Sequence, residues 1–285
     1  MIIVQNIKNN GIIYALLSSL TFSIMNALVK ATASSISSNE IVFFRSIIGT
    51  ILILILMKKD SVSFSKAGIP ILMLRGCCGA FYMIAYFYTI SNMPLLDAIL
   101  LVNMSPIFVL LFSSIFLKEK LPPKMYGALP IVFIGAILTI KPFSYSTFSI
   151  VAIFGILSAV FSGAAGVCIR FLSEKHHTYE IIFYFMLTAT LTSIPLMSNS
   201  FVVPNSLELF YLICIGVVSL LAQVFLTKAF THENPVVVEI IRYIGIVYNA
   251  FWGFAFFNET PDLYAILGGI LIVVGCILIN KLKQK

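Results

Sequence analysis

Ten apolar segments, each about as long as a helix needs to cross a bilayer, run along the 285 residues in two groups of five. The second group echoes the first. Pro94 is matched by Pro235, Glu119 by Glu259, Ala128 by Gly268 and Gly135 by Gly275, at an offset near 140 with a one-residue shift after the proline. A unit with an odd number of spans ends on the side opposite its start, so its second copy enters the membrane upside down. Two inverted halves around a midplane site are the architecture of secondary transporters, because rocking them exposes the site to each side in turn. The expected fold is an all-α integral membrane protein: ten transmembrane helices as two inverted five-helix repeats, over residues 1–143 and 144–285.

The expected spans are Gly11–Ala33, Glu40–Met57, Ile69–Ile90, Leu95–Leu117 and Met125–Ile140, then Phe148–Leu172, Tyr179–Met197, Ser206–Phe230, Pro235–Phe257 and Leu263–Asn280. Composition agrees: 60% of residues are hydrophobic, 10% are charged, and the mean hydropathy is +1.05. Soluble domains average roughly 45–50% apolar and about 25% charged, so lipid must solvate most of this surface. Most prolines fall at predicted span ends, whereas Pro106 and Pro130 lie inside spans and should kink or unwind them.

The net charge of +7 does not point to nucleic acid, because the basic residues sit in short loops between spans. Lys8, Lys58, Lys59, Lys66, Lys118, Lys120, Lys124, Lys175, Lys281, Lys283 and Lys285 fall on one side, and only Lys141 in the loops of the other. The lysine-rich side is cytoplasmic. Both termini are therefore expected in the cytoplasm, with the chain multi-pass in the cell membrane. No cleavable signal peptide is evident. The five cysteines all lie in apolar segments without the spacing of a disulfide framework or zinc site, and read as small buried hydrophobes.

Polar side chains inside spans are expensive and invite a functional reading. In the third span Arg75, Gly79, Tyr82, Tyr86 and Thr89 share a helical face, with the tyrosines deep enough to line a cavity or bond between helices. Arg75 either belongs to that site or snorkels to lipid phosphates. In the ninth span Glu239, Arg242, Tyr243 and Asn249 share a face, where Glu239 and Arg242 form either a structural ion pair or part of a site. Asn26 in the first span, Asn103 beside Pro106 in the fourth and Gln223 in the eighth add amides, each with four hydrogen-bonding positions to satisfy. These residues are the substrate-binding candidates. Lys30, Arg45 and Asp97 near the outer face, with Arg75, Arg170 and Lys228 near the inner one beside Glu239, are gating or coupling candidates; ordinary interfacial charge is the alternative.

At these residues the chain resembles the drug/metabolite transporter superfamily, specifically its ten-helix EamA-type carriers. The resemblance runs the full length. Its marks are Phe43-Phe44-Arg45, Arg75-Gly76, Pro94-Leu95-Leu96-Asp97-Ala98, Phe116-Leu117-Lys118-Glu119, Arg242-Tyr243 and Phe257-Asn258-Glu259. Lys118 and Asn258 stand where that family often has glycine. The arginine after aromatics and the arginine–glycine pair are similar to those of S-adenosylmethionine and riboflavin carriers and of amino-acid exporters. The resemblance implies a carrier but not its solute.

His176, His177 and His232 fall in inner loops away from any serine or cysteine partner, and no glycine-rich phosphate loop is present. Neither hydrolytic nor ATP-driven chemistry is expected, and no cofactor or metal. The expected activity is secondary transport of a small polar or amphipathic organic metabolite, amino-acid-like or cofactor-like, by alternating access, gradient-driven or by exchange. A coupling proton is a candidate second partner, and the assembly is a monomer or homodimer. An intramembrane lipid-modifying enzyme and a channel are the alternatives.

Overall fold

A computed structural model describes residues 2–116, 129–140, 148–173, 175–198, 201–232, 238 and 241–283. Glu119, Lys141 and Glu239, all named above, lie outside the described residues. Among the described residues the secondary structure is helical throughout: α1 (Ile2–Thr32), α2 (Ser38–Lys59), α3 (Ile69–Asn92), α4 (Leu95–Val102), α5 (Ser105–Phe116), α6 (Leu129–Ile140), α7 (Phe148–Leu172), α8 (Thr178–Met197), α9 (Ser206–His232), α10 (Ile244–Phe257) and α11 (Leu263–Lys283).

Six stretches, Gly11–Thr32, Ser38–Lys59, Ile69–Asn92, Ile150–Leu172, Thr178–Met197 and Ser206–Ala229, are long and apolar enough to cross a membrane by length and composition. Their polarity is inside-out. Ile55, Phe81, Leu191 and Phe210 face outward, while Ser18, Asn26, Arg45, Ser46 and Arg75 are buried. Apolar side chains facing lipid and polar ones packed against protein is the arrangement a bilayer favours.

Two expected spans are interrupted. The fourth does not break at Pro106: α4 stops at Val102, the chain turns through Asn103 and Met104, and α5 starts at Ser105. The proline thus sits in the first turn of α5, where its missing N–H removes no helical bond. The ninth, expected continuous over Pro235–Phe257, is broken at Tyr243, which caps α10. Ile107 N–H donates to Met104 O at 3.0 Å and Ile246 N–H to Tyr243 O at 3.0 Å, the same tight turn at nearly equivalent places. Pro130, expected to kink a helix, lies in the first turn of α6 as described.

Much of the packing repeats on adding 140 to each residue number. α2 and α8 open alike, with Ser37 and His177 as caps whose side chains accept N–H bonds of the first turn. Glu40 and Glu180 follow, both buried. Glu40 Oε2 accepts from Val202 N–H in the α8–α9 loop at 3.2 Å, and Glu180 Oε1 from Ser65 N–H in the α2–α3 loop at 2.7 Å. Gly76 on α3 lies against Tyr184 and Thr188 of α8, and Gly216 on α9 against Ile48 of α2. The principal helix pairs exchange likewise: α1 with α9 and α7 with α3, α2 with α9 and α8 with α3, α1 with α10 and α7 with α5, while α2–α8 and α6–α11 map onto themselves.

Candidate functional site

Where the two helix interruptions approach one another, a cavity of about 150 Å³ is lined from α1, α3, α4, α5, α7, α8, α9 and α10. The structure brings Asn26, Tyr82, Tyr86 and Asn103 to its wall, together with Gln223, Arg242 and Asn249. Asn26 and Asn249 join across it: Asn26 Nδ2 donates to Asn249 Oδ1 at 3.1 Å, while Asn249 Nδ2 donates to Gly245 O at 2.6 Å in the first turn of α10. Tyr82 and Tyr86 stack with centroids 5.5 Å apart and an interplanar angle of 15°. Asn103 Nδ2 donates to Ile99 O at 2.7 Å, closing the end of α4 beside the cavity.

Tyr243 is placed differently from the cavity face assigned to it. It is buried with Leu100, Met104, Ile107, Ala159 and Ile272 in an apolar cluster. The interruption falls at Tyr243 itself, which sits between the helical residues Ile241–Arg242 and the start of α10 and does not line the cavity as Arg242 and Asn249 do. Glu239, the remaining binding candidate, lies outside the described residues.

Two arginines lie deep in the protein. Arg75 is 4% exposed, lines the cavity, and holds its guanidinium carbon 4.7 Å from the centroid of Phe185, also a cavity residue. Its Nη1 lies beside Gly79, one turn further into the membrane. An arginine snorkelling to the interface would point back toward the helix start, so the structure decides against that alternative. Arg45, expected in an outer charge cluster, is instead fully buried. Its guanidinium carbon stands 5.5 Å from the Phe185 centroid and 5.9 Å from that of Phe87, and Nη1 contacts Met186 Sδ at 3.9 Å. Nε and Nη2 of Arg45, and Nε and Nη1 of Arg75, have no hydrogen-bond partner among the described residues.

The sequence groups Lys30 with Asp97 and Arg45 near the outer face and assigns it no partner. It pairs with Glu259 at 2.6 Å and donates to Met93 O at 2.6 Å. Glu259 Oε2 accepts from Leu95 N–H at 2.8 Å. This bracket ties α1, the α3–α4 junction and the segment just after α10 together. Glu259 is aimed there by Asn258, whose left-handed φ of 52° closes α10 as glycine would, with Glu259 N–H donating to Gly253 O at 3.1 Å. Asp97 lines a second, smaller cavity beside Glu259 and Asp262. Toward the other end, Lys228 lies over the Tyr14 ring at 5.6 Å and Arg170 is exposed.

Sequence reasoning missed Phe185, Glu259 as the partner of Lys30, and the small residues Ser162, Ala165 and Gly166 that leave room on the α7 wall. One signal was available for Phe185. The run Ser38-Asn39-Glu40-Ile41-Val42-Phe43-Phe44-Arg45 is matched 140 residues on by Thr178-Tyr179-Glu180-Ile181-Ile182-Phe183-Tyr184-Phe185. Phe185 thus occupies the counterpart of the Arg45 position, and the two meet. Among the described residues no group of His, Cys, Asp and Glu side chains could hold a metal ion.

Known proteins give this geometry a context. The pattern of the EamA-like transporter family matches twice, over residues 9–141 and 149–281. The chain is 53% identical to the pseudopaline exporter CntI of Pseudomonas aeruginosa (strain PAO1) over 282 residues, covering 99% of each. It is 26% identical to an S-adenosylmethionine uptake transporter of Rickettsia prowazekii, covering 97% of this chain and 94% of that protein. A solved crystal structure, 16% identical, superposes with a TM-score of 0.70 over 97% of this chain and 98% of its own, a likeness of fold.

Proposed function

Because the chain belongs to the EamA-like transporter family, and is on that footing a multi-pass membrane transporter and not an enzyme, we propose that it moves a small organic metabolite through the central cavity by alternating access between two inverted five-helix halves, residues 1–143 and 144–285. The observation that carries this reading is the convergence of the two interrupted helices on one polar cavity. The breaks at Asn103–Met104 and at Tyr243 bring irregular backbone beside that cavity, and irregular backbone is tolerated inside a membrane only where protein or a cavity surrounds it. The packing that recurs at a displacement of 140 residues supports two equivalent halves.

The 53% identity to a pseudopaline exporter makes pseudopaline, or a solute of its kind, the substrate we infer, moved outward. Asn26, Tyr82, Tyr86, Asn103, Gln223, Arg242 and Asn249 bind it, and Lys30 with Glu259 closes one end. Glu239 carries any coupling proton, with its Gln variant sparing exchange but losing drive from a pH gradient. Both termini lie in the cytoplasm, so an impermeant thiol reagent applied to intact cells should label a cysteine placed at Lys141 and not one placed at Lys281.

Counterflow in proteoliposomes tests the central reading. Unlabelled pseudopaline inside should accelerate uptake of labelled pseudopaline outside, with saturation. Flux that rises linearly and ignores the internal pool would establish a channel instead, and S-adenosylmethionine run in parallel is the comparison for an uptake carrier.

A further inference from the structure

We propose that Arg75 is the contact for a carboxylate on the transported solute, with Arg45 as its positioning residue acting through Phe185. The inference rests on the transport reading above and names the chemical class of the solute.

Burying a guanidinium is strongly unfavourable unless its charge is matched and its N–H groups are satisfied. Arg75 is 4% exposed, and its Nε and Nη1 have no partner among the described residues. Among the described residues the ionisable groups that act on it are Cys168, Cys78, Tyr82 and Arg45, none of them a carboxylate. The Phe185 ring at 4.7 Å offsets part of the charge and leaves Nε and Nη1 unsatisfied. A residue kept for structure alone would be better replaced by an apolar one of similar volume.

The geometry gives these unsatisfied donors a direction. Arg75 lines the cavity together with Phe185, Tyr82 and Asn103. It lies along its own helix against Gly79, where any Cβ would collide with both Nη1 and the Phe185 ring. Gly79 therefore makes the slot that holds the guanidinium deep. Arg45 stands behind, within 5.5 Å of the same ring and fully buried, so two positive charges share one aromatic face group with no described anion between them. A planar fork of N–H donors matches a carboxylate with two parallel bonds. A net cation is disfavoured by the same field.

Thermal unfolding of the purified full-length protein tests this with glutarate and its uncharged isostere glutaramide at equal ionic strength. Glutarate should raise the unfolding temperature of the wild type and glutaramide should not. Arg75→Gln should need at least tenfold more glutarate for the half-maximal shift, Arg75→Lys less than that, and Arg45→Gln about threefold more. Equal shifts from the two probes in the wild type would overturn the proposal without reliance on any variant, as would a wild-type glutarate response in Arg75→Gln. Methylphosphonate provides the phosphoryl arm, and a stronger response to it than to glutarate would overturn the carboxylate assignment. Pseudopaline counterflow is scored separately. Counterflow with no glutarate response leaves the transporter standing and removes the subsite, whereas a glutarate response lost in Arg75→Gln with no counterflow does the reverse.

Discussion

Gly79 has no side chain, and that is its contribution. A methyl group there would push against the Arg75 Nη1 and the Phe185 ring together. Gly79→Ala is therefore expected to mimic an Arg75 variant while leaving every charge in place. Pseudopaline counterflow should fall at least tenfold, with a smaller loss for Gly163→Ala, which crowds α5 away from Arg75. If Gly79→Ala transports like wild type, Arg75 does not need its deep slot. Much of the cavity was legible at this scale, since Asn26, Tyr82, Tyr86 and Asn249 each follow from amides or hydroxyls on one helical face. Arg45 was not. An arginine two turns from a helix end is compatible with snorkelling and with burial, and only the ring of Phe185 across the interface decides between them.

Helix α8 meets α3 through a glycine, and α9 meets α2 through another, at the same displacement of 140 residues. The two contacts differ in hardness. A Cβ on Gly76 would approach the Tyr184 backbone carbonyl at 2.8 Å, whereas one on Gly216 would meet only the Ile48 side chain. Close approach through small residues is how helices associate in lipid, where van der Waals packing is the main attraction. Overpacking typically costs about 1–3 kcal/mol. Gly76→Ala should therefore lower the unfolding temperature in detergent by more than Gly216→Ala, because a rotamer can yield and a carbonyl held in a helix cannot. Equal losses would show that α3–α8 and α2–α9 yield alike. Six of the spans were readable from apolar run length, and an interruption of the fourth was readable from Pro106 though displaced, whereas that of the ninth was not. Pro106 drew attention three residues past the turn at Asn103, and Tyr243 breaks its helix without any proline.

At the scale of the whole molecule, Lys30 and Glu259 form the pair proposed above to close one end of the cavity, each about four-fifths buried and each also bonded to backbone at the α3–α4 junction. A partly buried, charge-assisted contact of this kind contributes about 1–3 kcal/mol. Its removal would shift a two-state equilibrium roughly tenfold for each 1.4 kcal/mol. Glu259→Gln should thus make a cysteine at Asn26 more reactive from the Lys30 side. The exchanged pair Lys30→Glu with Glu259→Lys should restore part of the protection. An unchanged labelling rate would mean that the closure lies in the apolar packing of Phe22, Trp252 and Phe257 rather than in the charges.

On the carboxylate reading proposed above, the two buried guanidiniums would also make the carrier sensitive to membrane voltage. When a dianion occupies the site, its charge and theirs would compensate, and the loaded protein would reorient almost without regard to the membrane voltage. Emptied, the site carries its positive charge alone, and an inside-negative potential pulls it back toward the cytoplasm with about 2.3 kcal/mol per charge for each 100 mV traversed. Voltage would then act on the return stroke, so the cell's resting potential could drive net expulsion of an anionic metabolite without a coupling ion. In vesicles clamped with potassium and valinomycin, net efflux should accelerate as the interior is made negative. One-for-one exchange, which never uses the empty return, should not change.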